Sequence, residues 1–483
     1  MSGESTGREP AMRARMRTGA HRVARPAHRA LRLTVLVIVR VLLALRRPPP
    51  RPGRRLRVRI LLQHAHGTGG TIRTVLNLSG HLAGEHDVEI LSVFRGSAEP
   101  FFPAPPRVRI RFVEDRTAPP RGRAARLLAR LPSVITPVDD ASFRHMTLWS
   151  DLLLIRALCG RQPDVLIGTR PSLNLLVAEL APRGVVTVGQ DHMNLASYRP
   201  GLRREIERAY RRLTAVSVLT ERSRADYTAA LAGAPTRVVR IPNALPGLPG
   251  GPSPRERKVI LAAGRLTRQK GFDLLVRAYE PLAADHPDWT LHIFGSGARR
   301  DRLRRLITEL GLTGRVVLHA RTPDLAGEME RASVYVLSSR FEGMPMVIIE
   351  AMSKGLPVVA FDCPTGPGEM IEDGGNGLLV PAGDVAGLTA ALRGLIEDAA
   401  LRDRLGESAL ASSGAYHLDR VGPRWLRLLD ELRRPVPAPV PGARRPVGSA
   451  EPAVHVPRRR RVLRMIAFIA LALGALGMLG LDG

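Results

Sequence analysis

Residues 340–355 read Arg-Phe-Glu-Gly-Met-Pro-Met-Val-Ile-Ile-Glu-Ala-Met-Ser-Lys-Gly and follow an apolar stretch, residues 334–339, that is typical of a buried strand. Gly343 and Pro345 indicate a turn that opens a helix, and Gly355 marks the position where that helix ends. The stretch therefore predicts a strand, a tight loop and a helix in succession.

Two carboxylates, Glu342 and Glu350, fall one in this loop and one in the helix. Each has two acceptor oxygens that can hold the hydroxyls of a sugar ring or a ribose. The N–H groups of Gly343 and Met344, at the start of the helix, can donate to anionic or hydroxyl oxygens. The spacing fits a nucleotide sugar lying across a helix N-terminus. The alternative is a solvated loop residue and an ordinary helix-surface charge.

Strands and helices alternate over two stretches, residues 57–244 and 257–415, which a Pro/Gly-rich linker at residues 245–256 separates. Near-continuous apolar strands separated by helices predict parallel sheets covered on both faces. The 483-residue chain is long enough for two such cores. We therefore expect an α/β protein with two Rossmann-like, doubly wound domains.

The second domain opens with a basic loop, residues 262–272, between a strand and a helix that begins near Gly271. Such a loop can hold a diphosphate at a helix N-terminus. In this loop, which also contains Gly264, Arg265 offers a planar fork and Lys270 a point charge, although a solvated basic loop is the alternative. No Asp-x-Asp pair occurs in the sequence, so protein cations replace a metal in this interpretation. A second glycine turn follows at Gly295, and tight-turn geometry alone explains it equally well.

In the first domain, the loop Gly67-Thr68-Gly69-Gly70-Thr71 lies between the first strand and a helical stretch. Glycines such as Gly69 and Gly70 let backbone amides approach a ligand closely. His192 follows the strand that ends near Gln190, and a residue at the carboxyl end of a parallel strand faces the crevice. A single histidine is also commonly structural. Cys363 has no histidine partner in its own loop, which favours a packed thiol over a nucleophile.

Glu342 and Glu350, with seven residues between them, and the segments at residues 355–359 and 376–380 resemble the signature of retaining glycosyltransferases of family 4. The similarity covers roughly residues 57–433. It implies the GT-B fold, in which two Rossmann-like domains face each other across a cleft, and a terminal helix, here residues 416–434, that crosses back to the first domain.

The resemblance also implies roles for individual residues. It assigns Arg265 and Lys270 to the departing diphosphate, His192 to the sugar and Gly295 to the neighbourhood of the nucleotide base. It implies transfer of a hexosyl group from a nucleoside-diphosphate sugar to a hydroxyl of a lipid-linked or polymeric cell-envelope acceptor, with no cofactor or metal. A soluble acceptor such as an inositol phosphate and a non-catalytic membrane-associated scaffold are the alternatives.

The tails carry much of the formal net charge of +29. Residues 1–30 are Arg-rich and predict a disordered basic tail, and residues 31–47 predict an amphipathic helix on a membrane surface, with a helix packed on the protein as the alternative. A Pro/Arg-rich linker at residues 435–461 precedes an apolar stretch, residues 462–481, that predicts a transmembrane helix or a second surface helix. Base-stacking aromatics are not interleaved with the arginines of either tail, so anionic lipids at the cytoplasmic face of the membrane are favoured over specific nucleic acid.

Overall fold

A computed structural model describes residues 25–41, 43, 55–160 and 162–433 of the chain. Two parallel sheets form the centres of two α/β domains, which confirms the predicted pair of Rossmann-like domains. The predictions for residues 1–24, the linker at residues 435–461 and the helix at residues 462–481 lie outside the described residues.

The N-terminal domain contains a seven-stranded parallel sheet in the order β3-β2-β1-β4-β5-β6-β7. Its register places Ile60 of the first strand opposite Ile90 and Ile167 of its two neighbours. The strands are β1 (Arg57–His64), β2 (Asp87–Arg95), β3 (Arg109–Asp115), β4 (Val165–Gly168), β5 (Val186–Gln190), β6 (Ala215–Val218) and β7 (Arg237–Arg240). The helices are α1 (residues 25–41), α2 (Gly70–Leu82), α3 (Arg123–Leu128), α4 (Leu148–Leu158), α5 (Pro171–Leu180), α6 (Pro200–Ala209) and α7 (Glu221–Ala230).

The C-terminal domain contains a six-stranded parallel sheet in the order β10-β9-β8-β11-β12-β13. Its strands are β8 (Val259–Ala263), β9 (Thr290–Phe294), β10 (Val316–His319), β11 (Val334–Leu337), β12 (Val358–Asp362) and β13 (Gly377–Pro381). The helices are α8 (Phe272–Asp285), α9 (Arg300–Glu309), α10 (Leu325–Glu330), α11 (Met346–Ser353), α12 (Pro367–Met370), α13 (Val385–Glu397), α14 (Ala399–Ser413) and α15 (Leu418–Arg433).

Both sheets reverse their strand order at one point, between β1 and β4 and between β8 and β11. Loops that leave the carboxyl ends of the strands on either side of such a point diverge and leave a crevice. The loops after β1, β8 and β11 are the ones that carry the glycines, the cations and Glu342. The topology therefore brings the predicted site residues to one edge of each sheet.

Helix α15 belongs to the C-terminal end of the chain but packs on the N-terminal domain, against α2. Val421, Trp425 and Leu429 lie in one apolar cluster with Val75 and Leu82 of α2. Trp425 is only 2% exposed. This burial ties the end of the second domain to the first domain.

Helix α1 corrects the prediction for the N-terminal segment. The helix forms from residue 25, so residues 25–30 are not part of a disordered tail. Its apolar residues Val35, Leu36 and Val39 lie in the core of the N-terminal domain rather than on an open face. The predicted membrane-surface helix at residues 31–47 is therefore wrong for these side chains, because the protein itself covers them.

Arg32 shows why the amphipathic pattern of residues 31–47 predicted the wrong surroundings for α1. It is 1% exposed, donates from Nε to the carbonyl of Ile135 at 2.8 Å and pairs with Glu205. His28 Nε2 lies 2.9 Å from the carbonyl oxygen of Ser133 in the same segment. A buried, paired arginine looks identical in sequence to a solvent-facing one, so the amphipathic pattern predicted that Arg32 faces water, as Arg40 does, although Arg32 is buried.

Asp151 of α4 holds the segment on which α1 docks. Its carboxylate accepts hydrogen bonds from the Ser133 hydroxyl at 2.7 Å and from the backbone N–H groups of Val134 and Ile135 at 2.6 and 3.2 Å. Burial outweighs these donors and raises the pKa of the Asp151 carboxyl to about 7. The folded protein therefore holds a proton on Asp151 that the unfolded chain releases near pH 4.

We expect Asp151→Asn to remove this proton linkage. Because the folded-state pKa is raised, the contribution of Asp151 to the free energy of unfolding is fully present below about pH 4 and is lost as pH rises through 7. The stability of the wild type relative to the variant should fall by on the order of 2 kcal/mol between pH 5 and 8. Urea unfolding at several pH values measures this, and a stability difference that stays constant with pH would contradict it.

None of the helices among the described residues combines the length and the apolar character needed to cross a bilayer.

Candidate functional site

The basic loop after β8 meets the loop after β11 at a tight backbone crossing. Gly271 precedes α8 with a positive φ of 63°, and a Cβ placed on it would lie 1.9 Å from the Ser338 carbonyl oxygen. Only glycine fits this close approach. The Arg340 N–H donates to the Gln269 carbonyl at 2.8 Å, and the Ser338 hydroxyl donates to the Lys270 carbonyl at 3.1 Å. The two predicted site loops are therefore held together through their main chains.

Lys270 and Glu342 form an ion pair at this crossing, with 2.6 Å between Nζ and Oε1. The Ser339 hydroxyl donates to the same carboxylate oxygen at 2.6 Å. Glu342 is 6% exposed, so the pair lies in a partly desolvated environment where electrostatic attraction is strong. The loop of Glu342 is fixed by paired backbone bonds of 2.9 Å, one from its N–H to Pro364 and one from the Thr365 N–H to its carbonyl.

Arg265 lies in the same basic loop and has an exposed side chain. No described residue forms an ion pair with it, in contrast to Lys270. Because its guanidinium is exposed and unpaired, Arg265 is available to contact a ligand, whereas the Lys270 ammonium is held by Glu342. Gly264, next to Arg265, packs against the Lys270 side chain, and Gly295 lies against the Gly264 carbonyl, so both predicted glycines lie at this loop.

Glu350 lies on α11, five residues into the helix, and is 4% exposed. It accepts a hydrogen bond from Arg73 Nη1 of α2 at 2.9 Å, across the two domains. Burial raises the pKa of the Glu350 carboxyl, and the Arg73 guanidinium partly offsets this rise. One carboxylate oxygen is thus engaged by the first domain, and the other is left for a ligand hydroxyl.

The N-terminus of α11 faces the first domain at close range. The N–H groups of Gly343 and Met344 donate to no atom among the described residues. A Cβ on Gly343 would lie 1.9 Å from the His192 carbonyl oxygen, so the loop of Glu342 touches the loop after β5 with only a glycine between them. Met344 is buried, and its Sδ lies 3.3 Å from the Asn243 N–H.

His192 lies in the loop after β5, at the crevice edge of the N-terminal sheet. The residue is half-buried, but its Nε2 is shielded from solvent and has no hydrogen-bond partner among the described residues. Burial lowers the pKa of the His192 imidazole to about 4, so the ring is neutral near pH 7. A neutral imidazole with one free nitrogen can exchange a hydrogen bond with a hydroxyl group.

The glycine loop of the first domain faces α11 as well. Gly69 is the N-cap residue of α2, and a Cβ on Gly70 would lie 3.5 Å from Cγ of Met346. This loop, the loop of His192 and the N-terminus of α11 therefore line the same crevice.

Several residues at the crevice were not predicted from the sequence. Arg73 pairs with Glu350, Asn194 donates to the Glu342 carbonyl at 3.1 Å, and Arg321 donates to the Thr68 hydroxyl at 2.7 Å. Glu369 accepts from the N–H groups of Glu221 and Arg222 at the start of α7, at 2.6 and 2.9 Å. Of these four residues, only Asn194 could have been found from the sequence, because it lies two positions after His192 in the same loop. All four, Asn194 included, meet partners in the opposite domain.

Cys363 is buried, and burial raises the pKa of its thiol to about 12, which disfavours the thiolate that a nucleophile needs. Among the described residues, no group of three or more His, Cys, Asp and Glu side chains is arranged to hold a metal ion.

Residues 250–411 match the family model of glycosyl transferases group 1. The match spans the C-terminal domain and part of the linker that precedes it. A TarM mutant of S. aureus, solved with fondaparinux, alpha-GlcNAc-glycerol and UDP, superposes with a TM-score of 0.64 at 16% identity, over 78% of this chain and 100% of that one. The likeness shows that the two domains adopt the GT-B fold, as predicted.

Two curated relatives align over most of this chain. An exopolysaccharide phosphotransferase of Streptomyces coelicolor is 38% identical over 391 residues, which cover 78% of this chain and 41% of that protein. The amylovoran biosynthesis glycosyltransferase AmsD of Erwinia amylovora is 26% identical over 390 residues, 77% of this chain and 99% of that protein. The chain is thus similar to proteins whose names refer to exopolysaccharide and amylovoran synthesis, and it spans only about two fifths of the length of the first of them.

Proposed function

We propose that this protein is a retaining glycosyltransferase of family 4 that moves a hexosyl group from a nucleoside-diphosphate sugar to a hydroxyl of a cell-envelope or exopolysaccharide acceptor. The observation that carries the proposal is the pairing of Lys270 with Glu342 at 2.6 Å in the interdomain crevice, beside the unpaired cation of Arg265. An ordinary solvated basic loop would not fix a lysine against a buried carboxylate.

The diphosphate of the donor would bind between the basic loop and the N-terminus of α11. Arg265 would contact the phosphate oxygens bidentately, and Glu342 would hold the Lys270 ammonium in place. The free N–H groups of Gly343 and Met344 add fixed dipoles at the same helix end. These groups supply the positive charge without a metal or other cofactor.

The acceptor would approach the anomeric carbon of the sugar from the same face from which the nucleotide leaves. The acceptor oxygen forms a bond to the anomeric carbon, the bond from that carbon to the β-phosphate oxygen breaks, and the acceptor proton passes to the departing phosphate. Negative charge on the phosphate grows as the bond breaks, and Arg265 and Lys270 stabilise it. His192, neutral near pH 7, and the free oxygen of Glu350 would hold hydroxyl groups of the donor.

The acceptor is proposed from the relatives, whose names refer to exopolysaccharide and amylovoran synthesis. For such an acceptor, polymeric or lipid-linked, we propose that the protein acts at the cytoplasmic face of the membrane with anionic lipids as neighbours. Full activity toward a soluble acceptor such as an inositol phosphate would move the proposal to a small-molecule substrate.

The name of the Streptomyces coelicolor relative favours a second candidate, transfer of a sugar phosphate. In that reaction the acceptor oxygen attacks the β-phosphorus, the bond between the two phosphates breaks, and a nucleoside monophosphate leaves. The proton of the acceptor passes to the solvent or to the departing monophosphate. The two reactions use the same donor and differ in which bond breaks.

We expect the full chain to release a nucleoside diphosphate, one per sugar transferred, because Arg265 and Lys270 stabilise a departing diphosphate. Ion-exchange chromatography of the nucleotides released from a panel of nucleoside-diphosphate sugars distinguishes sugar transfer from sugar-phosphate transfer. Proton NMR of the glycoside gives its anomeric configuration. A monophosphate product would replace the proposal with phosphosugar transfer, and an inverted anomer would exclude a retaining mechanism. Nucleotide-sugar binding without any turnover would indicate a non-catalytic scaffold.

A further inference from the structure

The N-terminal domain has a second basic groove, at the amino ends of β1, β2 and β3. It has a volume of about 590 Å³ and lies at the sheet edge opposite the interdomain crevice. Because β1 has eight residues and a strand rises about 3.3 Å per residue, roughly 23 Å of strand separates the groove from the crevice edge. The arginines that line it are Arg57, Arg59, Arg107, Arg109 and Arg111.

Arg59 is the buried centre of this groove. It is 7% exposed, and its Nε donates to Glu89 at 2.5 Å. Its Nη1 is shielded from solvent and has no hydrogen-bond partner among the described residues. A buried donor without an acceptor is destabilising, so the groove holds a strong donor for which the described chain provides no acceptor. Arg57 differs, because Asp164 engages its guanidinium at 2.9 Å.

Three exposed arginines surround Arg59 on the rim. Arg109 and Arg111 alternate along β3, so both lie on one face of the sheet, and Arg109 stands opposite Glu89 in the register. Arg111 lies 3.7 Å from Glu89, and Arg107 precedes the strand. Five arginines and two acids, Asp87 and Glu89, line the groove, and with Asp164, which pairs with Arg57 from outside the lining, the arginines outnumber the acids by five to three. The groove therefore carries a clear excess of positive charge.

We propose that this groove binds a phosphate group, separately from the donor site. A phosphate offers several acceptor oxygens, which match the planar forks of arginine and would satisfy Arg59 Nη1. Two kinds of molecule can carry this phosphate group: a soluble or polymeric phosphate ester, and an acidic lipid with a phosphate headgroup. Either would hold the N-terminal domain on a phosphate-bearing surface while the crevice, at the other edge of the sheet, stays open.

The test uses the full chain and two double variants with the same loss of charge. Arg107→Gln, Arg109→Gln removes two rim arginines, and Arg424→Gln, Arg427→Gln removes two exposed arginines of α15 as the matched control. The probes are glycerol 1-phosphate, by titration calorimetry at constant ionic strength, and vesicles of phosphatidylglycerol compared with phosphatidylcholine, by sedimentation. The basic tails are the same in all three proteins, so any binding of the probes by the tails does not affect the comparison.

We expect the groove variant to bind at least one probe at least five-fold more weakly than the wild type, and the control variant to bind it within two-fold. Weaker binding of glycerol 1-phosphate alone identifies a soluble or polymeric ester, and weaker binding of phosphatidylglycerol vesicles identifies a lipid headgroup. Equal affinities of the two variants for both probes would overturn the proposal.

Arg59→Lys provides a second variant that addresses the buried donor directly. It keeps a cation beside Glu89 but removes Nη1, and we expect several-fold weaker phosphate binding with an unchanged circular dichroism spectrum. Because the readout is binding, the result stands whether or not the transferase activity is found. Wild-type affinity of a folded Arg59→Lys protein would exclude Arg59 from the site.

Discussion

The double variant Arg265→Ala, Lys270→Ala is expected to lose transfer activity by at least about 1,000-fold. Removal of a single preorganised donor to a developing charge costs about 100- to 1,000-fold in kcat, and this variant removes two. Initial rates with saturating donor and acceptor measure the loss. The effect should fall on kcat more than on KM, because the charge on the phosphate is largest as the glycosidic bond breaks.

Two controls separate chemistry from stability. Lys270→Ala leaves the buried Glu342 without its cationic partner, so part of its effect could come from a less stable loop. Arg265→Ala alone removes an exposed side chain with no partner in the described protein and should lose about 100-fold in kcat at an unchanged thermal midpoint. Arg268→Ala, in the same loop, should stay within about ten-fold of the wild type. A double variant that keeps its rate would remove the proposed mechanism.

Gly343→Ala is expected to lower kcat by about 100-fold in a folded protein. The added Cβ would lie 1.9 Å from the His192 carbonyl oxygen of the other domain, far inside van der Waals contact. The two loops must then separate by more than roughly 1 Å, and a misplacement of that size can cost about 100-fold in rate. Donor affinity should change little, because alanine keeps the N–H group and the basic loop is untouched.

The comparison is with Gly247→Ala in the linker, where an added Cβ meets no atom within 4 Å. That variant should retain the wild-type rate and thermal midpoint. Steady-state kinetics and donor titration of both variants distinguish an effect of separating the two loops from a loss of donor binding. If Gly343→Ala transfers sugar at the wild-type rate, the close approach of the two loops is not required for the reaction.

Much of the fold could be predicted because the signals are local. Strands that are buried on both faces of a parallel sheet are near-continuous apolar runs, so the alternation of strands and helices over residues 57–244 and 257–415 could be recognised from the sequence. The strand-loop-helix order around Glu342 and around Lys270 was likewise readable from glycine, proline and apolar spacing. Residues at the carboxyl ends of parallel strands share one sheet edge, which explains why the predicted site residues lie near one crevice.

The partners of these residues were not predictable in the same way. Arg73 and Glu350 are 277 positions apart, and Arg32 and Glu205 are 173 apart. No local pattern specifies such pairs, because they depend on how two domains, or a helix and a domain, are placed in space. This is also why α1 looked like a membrane-surface helix: its arginine stripe gives no sign that Arg32 is buried against an acid.

The sequence by itself determined two parallel α/β domains, a Pro/Gly-rich linker between them and the two loops that carry Lys270 and Glu342, because apolar periodicity and turn residues act within a few positions of the chain. Only the tertiary structure decided that Glu350 faces Arg73 of the other domain, that Gly343 touches the backbone of His192, and that α1 belongs to the core. These contacts join residues distant in sequence, and their identity depends on the packing of whole elements rather than on local propensity.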